Sequence, residues 1–250
     1  MPCNLAVSIT KAAVSEAHLR AILTPEVILP LIEAYLRLPG VLHAERVTLQ
    51  RQGDAIVVTV GRVTMTIREG RVETQATRGD VRAQELTDGI SALVAGIADA
   101  LFAQQIRAAL TPFGTVAAEQ VTVDNDGVSQ VVTMLTMTLM EGGNAVELTV
   151  FTPQQVTVDN DGVSQVVTML TMTLMEGGNA VELKVYVMPG GSVQIFVDGQ
   201  VSFEQAQAIT QAVMAQLQAS GIAFREIGTV EQHRDGVSHV HITGGVHVRH

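Results

Sequence analysis

The sequence has no tryptophan, one cysteine and few aromatic residues, and these shortages exclude some classes of structure. Aromatic side chains make up 3% of the 250 residues, whereas hydrophobic residues make up 47%, which predicts a core of Val, Leu, Ile, Ala and Met. That length suffices for one large domain or two small ones. Because Cys3 stands alone, an intramolecular disulfide framework and a cysteine-based zinc site are excluded.

Long apolar runs are absent as well. No window approaches eighteen consecutive apolar residues, so the sequence predicts no membrane span. The N-terminus lacks a basic start followed by an apolar run, which argues against a secretory signal. We therefore expect a soluble, cytoplasmic protein that has no membrane partner.

Positive charge is missing from the middle of the chain. Residues 108–183 contain nine Asp or Glu and no Lys or Arg, within a chain of net charge −10. Such a surface repels phosphate backbones, so we expect no nucleic-acid partner. A solvated acidic face and a patch for a basic partner both fit this pattern.

The most informative segment is a stretch of 29 residues that occurs twice, letter for letter, at Gln120–Leu148 and Gln155–Leu183. In each copy we predict a short strand, an Asp-Asn-Asp-Gly turn, a long strand, a Gly-Gly turn and a return strand. A two-residue loop at Gly142-Gly143 then sets apolar residues opposite one another on one face. The predicted pairs are Leu139 with Val146, Met137 with Leu148 and Leu135 with Val150, and the second copy repeats them.

The rest of the chain alternates between helical and strand-like patterns. Apolar residues recur at three- and four-residue steps over residues 81–110, which predicts a long helix. Ser202 and Gln205 form a capping box that predicts a further helix. The pattern over Ala55–Ile67 predicts one strand, joined to the next by a Glu69-Gly70 turn.

Together these patterns predict the α+β fold class, with a mainly antiparallel sheet and three main helices. Glu45–Ile67 is similar in sequence to Glu119–Glu141, and Glu231–Thr243 contains the same Asp-Gly-Val-Ser turn. We therefore interpret the chain as repeated helix–strand–hairpin units. The predicted segments are an N-terminal helix–hairpin unit (1–80), a long helix with the duplicated hairpins (81–200) and a C-terminal helix–hairpin unit (201–250), packed as one or two domains.

Five histidines crowd the C-terminal stretch HRDGVSHVHITGGVHVRH. His239 and His241 are alternate residues of a predicted strand and share a face, and a Gly244-Gly245 loop would set His250 opposite His239. Three imidazoles on one face suit Zn²⁺ or another transition metal, so His239, His241 and His250 are the predicted metal ligands. No carboxylate ligand is evident beside them, and an exposed or pH-sensitive face is the alternative.

No catalytic motif emerges. Cys3 has no His close by in sequence, no Gly-x-Ser-x-Gly elbow exists, and the Asp-Asn-Asp-Gly turns lack the ligand spacing of an EF-hand. The added hairpin has no helix of its own, so its apolar face needs cover, which predicts a homo-oligomer. The expected function is a non-enzymatic structural or interaction module without a bound cofactor. A metal- or small-ligand-binding protein that uses the C-terminal histidines is the alternative, and an enzyme of unknown type comes third.

Overall fold

The computed structural model describes most of the chain. The described backbone covers residues 6–37, 47–76, 81–124, 128–141, 144–158, 164–176, 179–199, 202–233 and 238–241. Side chains are described for residues 10, 12–37, 47–76, 82–118, 169–174, 181–197 and 202–228. Within these ranges the backbone forms four α-helices and thirteen strands.

The helices and strands have the following bounds. The helices are α1 (Glu16–Ala21), α2 (Pro25–Leu36), α3 (Val81–Leu110) and α4 (Phe203–Ala219). The strands are β1 (Ala6–Val14), β2 (Val47–Gln52), β3 (Ala55–Val60), β4 (Val63–Arg68), β5 (Arg71–Gln75), β6 (Ala117–Asp124), β7 (Val128–Glu141), β8 (Asn144–Val158), β9 (Ser164–Glu176), β10 (Asn179–Met188), β11 (Ser192–Gly199), β12 (Phe224–His233) and β13 (Ser238–His241).

The chain divides into two compact units, each assembled from separated stretches. Unit 1 consists of Met1–Leu19, Phe102–Val123 and Val166–His250, and unit 2 consists of Arg20–Leu101 and Asp124–Gln165. Unit 1 is built on a seven-stranded sheet in the order β13-β12-β1-β11-β10-β9-β6. Unit 2 contains a four-stranded sheet in the order β2-β3-β4-β5 and a two-stranded sheet of β7 and β8.

In unit 1 the core lies between the seven-stranded sheet and helix α4. Alternate residues of β10 and β11 are buried and lie opposite one another, as in Leu183 with Val197 and Val185 with Ile195. Helix α4 contacts β1 and β11 on this face. The buried residues of α4 are Ala206, Ile209, Thr210, Val213, Met214 and Leu217.

Helix α4 begins at the predicted capping box. The Ser202 hydroxyl accepts a hydrogen bond from the backbone N–H of Gln205 at 3.2 Å. The side-chain oxygen of Gln205 accepts one in return from the backbone N–H of Ser202 at 2.9 Å. This reciprocal pair satisfies two amides that the first helical turn would otherwise leave without partners.

In unit 2, α2 and the first part of α3 pack on the four-stranded sheet. The predicted Glu69-Gly70 turn joins β4 to β5, so that Met65 lies opposite Thr74 and Ile67 opposite Val72. Central core residues of this unit are Ile28, Leu31, Ile32, Ile56, Val58, Met65, Ile67, Ile90, Leu93, Val94 and Ile97. A single hydrophobic cluster thus joins two helices to one face of the sheet.

One predicted strand is in fact two. A turn at Gly61-Arg62 divides the stretch Ala55–Ile67 into β3 and β4, so the prediction of a single strand is wrong. Gly61 has a φ of 59°, a left-handed value that glycine adopts without steric cost. The buried residues Val60 and Val63 then lie opposite each other across the turn.

Helix α3 belongs to both units, since its residues up to Leu101 lie in unit 2 and those from Phe102 lie in unit 1. By length and composition alone, the stretch Arg82–Phe113 could span a membrane; the mean hydropathy of its apolar window is 1.5, and 39% of that window is buried inside the protein. The same helix supplies core side chains to each unit. They include Ile90, Leu93 and Ile97 in unit 2 and Phe102, Ile106 and Leu110 in unit 1.

The two identical segments form the same hairpin but join different sheets. Met137 lies opposite Leu148 in β7–β8, and Met172 lies opposite Leu183 in β9–β10. The predicted pairs of Leu135 with Val150 and Leu139 with Val146 are present as well, so the predicted register is confirmed. Strand β10 also pairs with β11 and is part of the seven-stranded sheet, whereas β7 and β8 form a two-stranded sheet.

The first hairpin is an insertion into the path of the seven-stranded sheet. Strand β6 contains the start of the first copy, and its neighbour in the sheet is β9, which belongs to the second copy. Residues 128–131 of β7 pair with residues 155–158 of β8, so the intervening chain pairs with itself. Because the copies are 35 positions apart, removing residues 124–158 would join Val123 to Asp159 and leave one uninterrupted copy.

The fold class is α+β with antiparallel sheets, as predicted. The longer helices are α2, α3 and α4, and α1 has only six residues. The repeated helix–strand–hairpin units and the division into segments 1–80, 81–200 and 201–250 stay predictions.

Candidate functional site

A half-open groove lies in unit 1 between helix α4 and strands β1 and β12. Its volume is about 220 Å³. One wall contains Gln207, Gln211 and Gln218 of α4, and the sheet side contains Thr10 of β1 and Ile227 of β12. Residues four and seven positions apart share a helix face, so the three amides line the same wall.

Among the described side chains that line the groove, none could transfer a proton. The described lining consists of glutamine, threonine, methionine, alanine and isoleucine, none of which titrates. Thr210 is buried, and its hydroxyl donates to the carbonyl oxygen of Ala206 at 2.9 Å, inside the helix. The described side chains of the groove can therefore hold a neutral polar group through hydrogen bonds, but they include no general acid or base.

Strand register extends the groove face of the sheet to β12 and β13. Thr10 of β1 lies opposite Thr229 of β12, which lies opposite His241 of β13. Directly opposite residues share a face in an antiparallel pair, so His241 occupies the same sheet face as Thr10. Neighbouring strands are about 4.8 Å apart, which places the backbone of His241 about 10 Å from that of Thr10.

Two of the three predicted metal ligands belong to strand β13, and the third lies outside the described residues. His239 and His241 are alternate residues of β13, and their side chains lie outside the described part. His250 lies outside the described residues altogether, as does the predicted Gly244-Gly245 loop. Among the side chains that the structure describes, no group of three or more His, Cys, Asp or Glu could hold a metal ion.

A carboxylate residue that the sequence analysis did not assign lies in register with these histidines. Glu231 of β12 is directly opposite His239 of β13. The signal that could have found it is the Asp-Gly-Val-Ser motif that begins at Asp235. A turn predicted at that motif would bring the chain on its two sides, which contains Glu231 and His239, into neighbouring strands.

The described histidine side chain in unit 1, that of His18, has structural partners. Its Nε2 atom lies 2.9 Å from Oε1 of Gln105. Its ring meets Phe102 edge-on, with 6.2 Å between the ring centroids. The ring therefore serves in packing and hydrogen bonding within unit 1.

Shifted pKa values in the described part of the chain have local causes. Burial raises the pKa of the Tyr35 hydroxyl. The pKa of Glu26 is lowered by a hydrogen bond from the backbone amide of Glu26, and Thr24 and Arg51 lower it further. The pKa of Glu204 is lowered by a hydrogen bond from the backbone amide of Glu204 and by one from the side chain of Ser202. Both carboxylates lie in first turns of helices, where backbone amides favour negative charge, so neither marks a catalytic group.

The candidate sites are therefore the groove, the β12–β13 hairpin beside it, and the inserted β7–β8 hairpin. Comparison of the chain with known protein families, with curated proteins and with solved structures finds no match.

Proposed function

We propose that this protein is a non-enzymatic interaction module that self-associates through the β7–β8 hairpin, with a second copy of the chain as its partner. The observation that carries the proposal is that β6 has β9 as its neighbour in the seven-stranded sheet, with neither β7 nor β8 between them. The inserted hairpin is therefore not needed to complete that sheet. Its residues are available for another purpose.

The hairpin has long strand edges. Strand β7 has 14 residues and β8 has 15, and within the described residues each pairs only with the other. A two-stranded sheet is only marginally stable in water, and unpaired edges are templates for further strands. Pairing with a strand of another chain would therefore stabilise this hairpin.

Little charge opposes such pairing. By register, one face of the hairpin contains Leu135, Met137 and Leu139 opposite Val150, Leu148 and Val146. The other face contains Met134, Thr136, Thr138 and Met140 opposite Phe151, Thr149, Glu147 and Ala145. Glu147 is the one charged residue in these two sets. A hairpin with two such faces gains from burial against another molecule.

A second copy of the chain is the partner that the sequence favours. The hairpin residues Val128–Leu148 are identical to residues 163–183, which contain the whole of β9 and the start of β10. In the seven-stranded sheet, β10 pairs with β11 from Val181 to Met188. One chain thus offers to another the same strand residues in the same alternation, which is the condition for exchange between copies.

The groove supports the non-enzymatic part of the proposal. It is a concave site in unit 1, and the described side chains that line it include no titratable group. A catalytic cleft ordinarily contains groups poised to transfer protons or attack a substrate. The groove in unit 1 is better suited to binding than to reaction.

The experiment compares the full chain with a variant that lacks residues 124–158. We expect the full chain to assemble at micromolar concentration and the deletion variant to be monomeric. The variant should keep the circular dichroism of a folded protein, because one complete copy remains between β6 and β11. Light scattering measures the mass of each. A strictly monomeric full chain would contradict the proposal, as would a deletion variant that assembles equally well.

A pair of lysine variants separates edge pairing from a general effect of charge. Thr136→Lys places a lysine on β7, where a charged residue opposes strand pairing, and should weaken assembly. Thr48→Lys is the matched control, because Thr48 is exposed on β2, an edge strand of the four-stranded sheet. Equal weakening by both variants would show that the hairpin is not the contact.

A further inference from the structure

The groove beside helix α4 combines a wall of amide side chains with buried hydroxyl groups. Gln207, Gln211 and Gln218 form the wall, and the last two are exposed to solvent. Thr10 and Thr210 also line the groove but are almost fully buried. Each carboxamide has both hydrogen-bond donors and an acceptor, and a hydroxyl group has both as well. The described lining therefore offers donors and acceptors side by side and includes no charged group.

The chemistry of this lining limits the kind of ligand that fits. A carboxylate, phosphate or ammonium group would leave water without meeting an opposite charge among these side chains, which is costly. An apolar molecule would cover the carboxamides and leave them without partners, which is also costly. The hydroxyl of Thr210 already donates to the carbonyl oxygen of Ala206 at 2.9 Å, so it can only accept from a ligand. A fitting ligand is therefore uncharged and both donates and accepts hydrogen bonds.

We propose that the groove binds a neutral monosaccharide, with Gln207, Gln211 and Gln218 as its main hydrogen-bonding partners. The groove volume of about 220 Å³ equals that of roughly seven water molecules at ~30 Å³ each, which suits a ligand the size of one hexose ring. Every sugar hydroxyl both donates and accepts, as the carboxamides require. Met214 and Ile227 supply apolar surface for the C–H groups of the ring.

Sugar binding and self-association involve different parts of the sequence. None of the described residues that line the groove belongs to the duplicated segments or to residues 124–158. The variant lacking residues 124–158 should therefore bind the sugar with unchanged affinity. Loss of assembly without loss of sugar binding, or the reverse, shows which of the two proposals fails.

A nuclear magnetic resonance titration of the full chain with glucose, galactose and mannose in turn tests the proposal. We expect at least one of these hexoses to cause saturable shifts of the side-chain NH₂ signals of Gln207, Gln211 and Gln218. A small ligand in a half-open groove forms few contacts, so the expected Kd is about 1–10 mM. No saturable shift with any of the three hexoses would overturn the proposal.

Two further ligands test the chemical class. The uronate of the hexose that binds has the same ring with one negative charge, and it should bind at least about 10-fold more weakly. Propionamide has an amide but no hydroxyl groups and should cause no saturable shift over the same range. Equal affinity for the uronate, or for propionamide, would overturn the assignment to a neutral sugar.

A pair of leucine variants makes the outcome specific to the groove. Gln211→Leu removes one carboxamide at an exposed position and should weaken binding of the hexose by about 10-fold, the effect of one hydrogen bond. Gln216→Leu is the matched control, because it makes the same change in the same helix outside the groove lining, and it should leave the affinity unchanged. Equal weakening by both variants, or none by either, would overturn the proposal.

Thermal unfolding checks that the variants fold. Because Gln211 is exposed, Gln211→Leu should unfold cooperatively with nearly the Tm of the unchanged chain. Gln218→Leu alters the same wall at a second exposed position and should also weaken binding about 10-fold. Unchanged hexose affinity in a folded Gln218→Leu protein would count against the wall as the binding surface.

Discussion

The two hairpins of identical sequence have different surroundings in this protein. Leu183 of the second copy is fully buried in the seven-stranded sheet, on a strand that pairs with both β9 and β11. Its counterpart in the first copy, Leu148, belongs to a two-stranded sheet. Over 29 residues the copies have the same propensities and the same polar pattern. The difference must therefore arise from residues and connections outside the copies.

The residues just after each copy favour the second one for the sheet. The chain continues with Lys-Val-Tyr-Val-Met after Leu183, and with Thr-Val-Phe-Thr-Pro after Leu148. Val187 is buried opposite Val193 of β11, where the first copy would bring the hydroxyl of Thr152. The first copy would also place Pro153 where Met188 stands, and proline has no N–H to donate to an inner strand.

Chain connectivity also favours the second copy as the one that joins the seven-stranded sheet. Strands β10 and β11 are joined by residues 189–191, which end at Gly191 with a φ of 77°. A Cβ atom on Gly191 would lie 2.1 Å from Cγ1 of Val14, so glycine is required there. Bringing the first copy to β11 would lengthen this loop by 35 residues. Such a change costs roughly 2 kcal/mol in loop-closure entropy.

The largest expected difference is between Leu183→Ala and Leu148→Ala. Leu183→Ala should lower the free energy of unfolding by about 2–5 kcal/mol, because it leaves a cavity in the core of unit 1. Leu148→Ala should lower it by less, because β7 and β8 are not strands of the seven-stranded sheet. Urea denaturation followed by circular dichroism measures both values. Equal losses would mean that the copies do not differ in their contribution to the core.

A smaller effect is expected at the positions that distinguish the copies. Val187→Thr should lower the free energy of unfolding by about 1–3 kcal/mol, because it buries a hydroxyl group in the sheet. The reverse change in the first copy, Thr152→Val, should cause no loss. Thermal unfolding of the two variants provides the comparison. If Val187→Thr is neutral, the flanking residues do not select the second copy, and connectivity alone remains as the cause.

The smallest expected effect concerns salt. Residues 124–158 contain four acidic residues and no basic one, so self-association through this hairpin brings like charges together. Raising the ionic strength from about 0.01 M to about 0.15 M shortens the Debye length from about 30 Å to about 8 Å. The association constant should therefore rise a few-fold in sedimentation experiments. A fall instead would indicate that the hairpin contacts a basic surface.

Local features of the fold could be predicted because they depend on residues close together in sequence. The pairing of Glu141 with Asn144 determines which residues of β7 and β8 are opposite, and the reciprocal bonds of Ser202 and Gln205 involve neighbours three positions apart. The periodicity over residues 81–110 likewise matches α3. The division of Ala55–Ile67 was missed, although Gly61 and a one-residue change in alternation both mark it.

The candidate metal site shows where such reasoning stops. The alternation of His239 and His241 is visible in the sequence, because a strand repeats every two residues. The pairing of His239 with Glu231 depends on the register of β12 with β13. Without that register, the sequence predicts His250 as the third ligand. Sheet register brings together residues that spacing within one strand cannot connect.

The sequence by itself determined the strand pairing within each hairpin, since identical residues produced the same pairs twice. Only the tertiary structure decided which copy supplied strands β9 and β10 of the seven-stranded sheet. Turns, caps and register depend on contacts a few residues apart, and these are the same in both copies. Membership in the seven-stranded sheet depends on the short loop to β11 and on burial of Val187, which belong to the second copy alone.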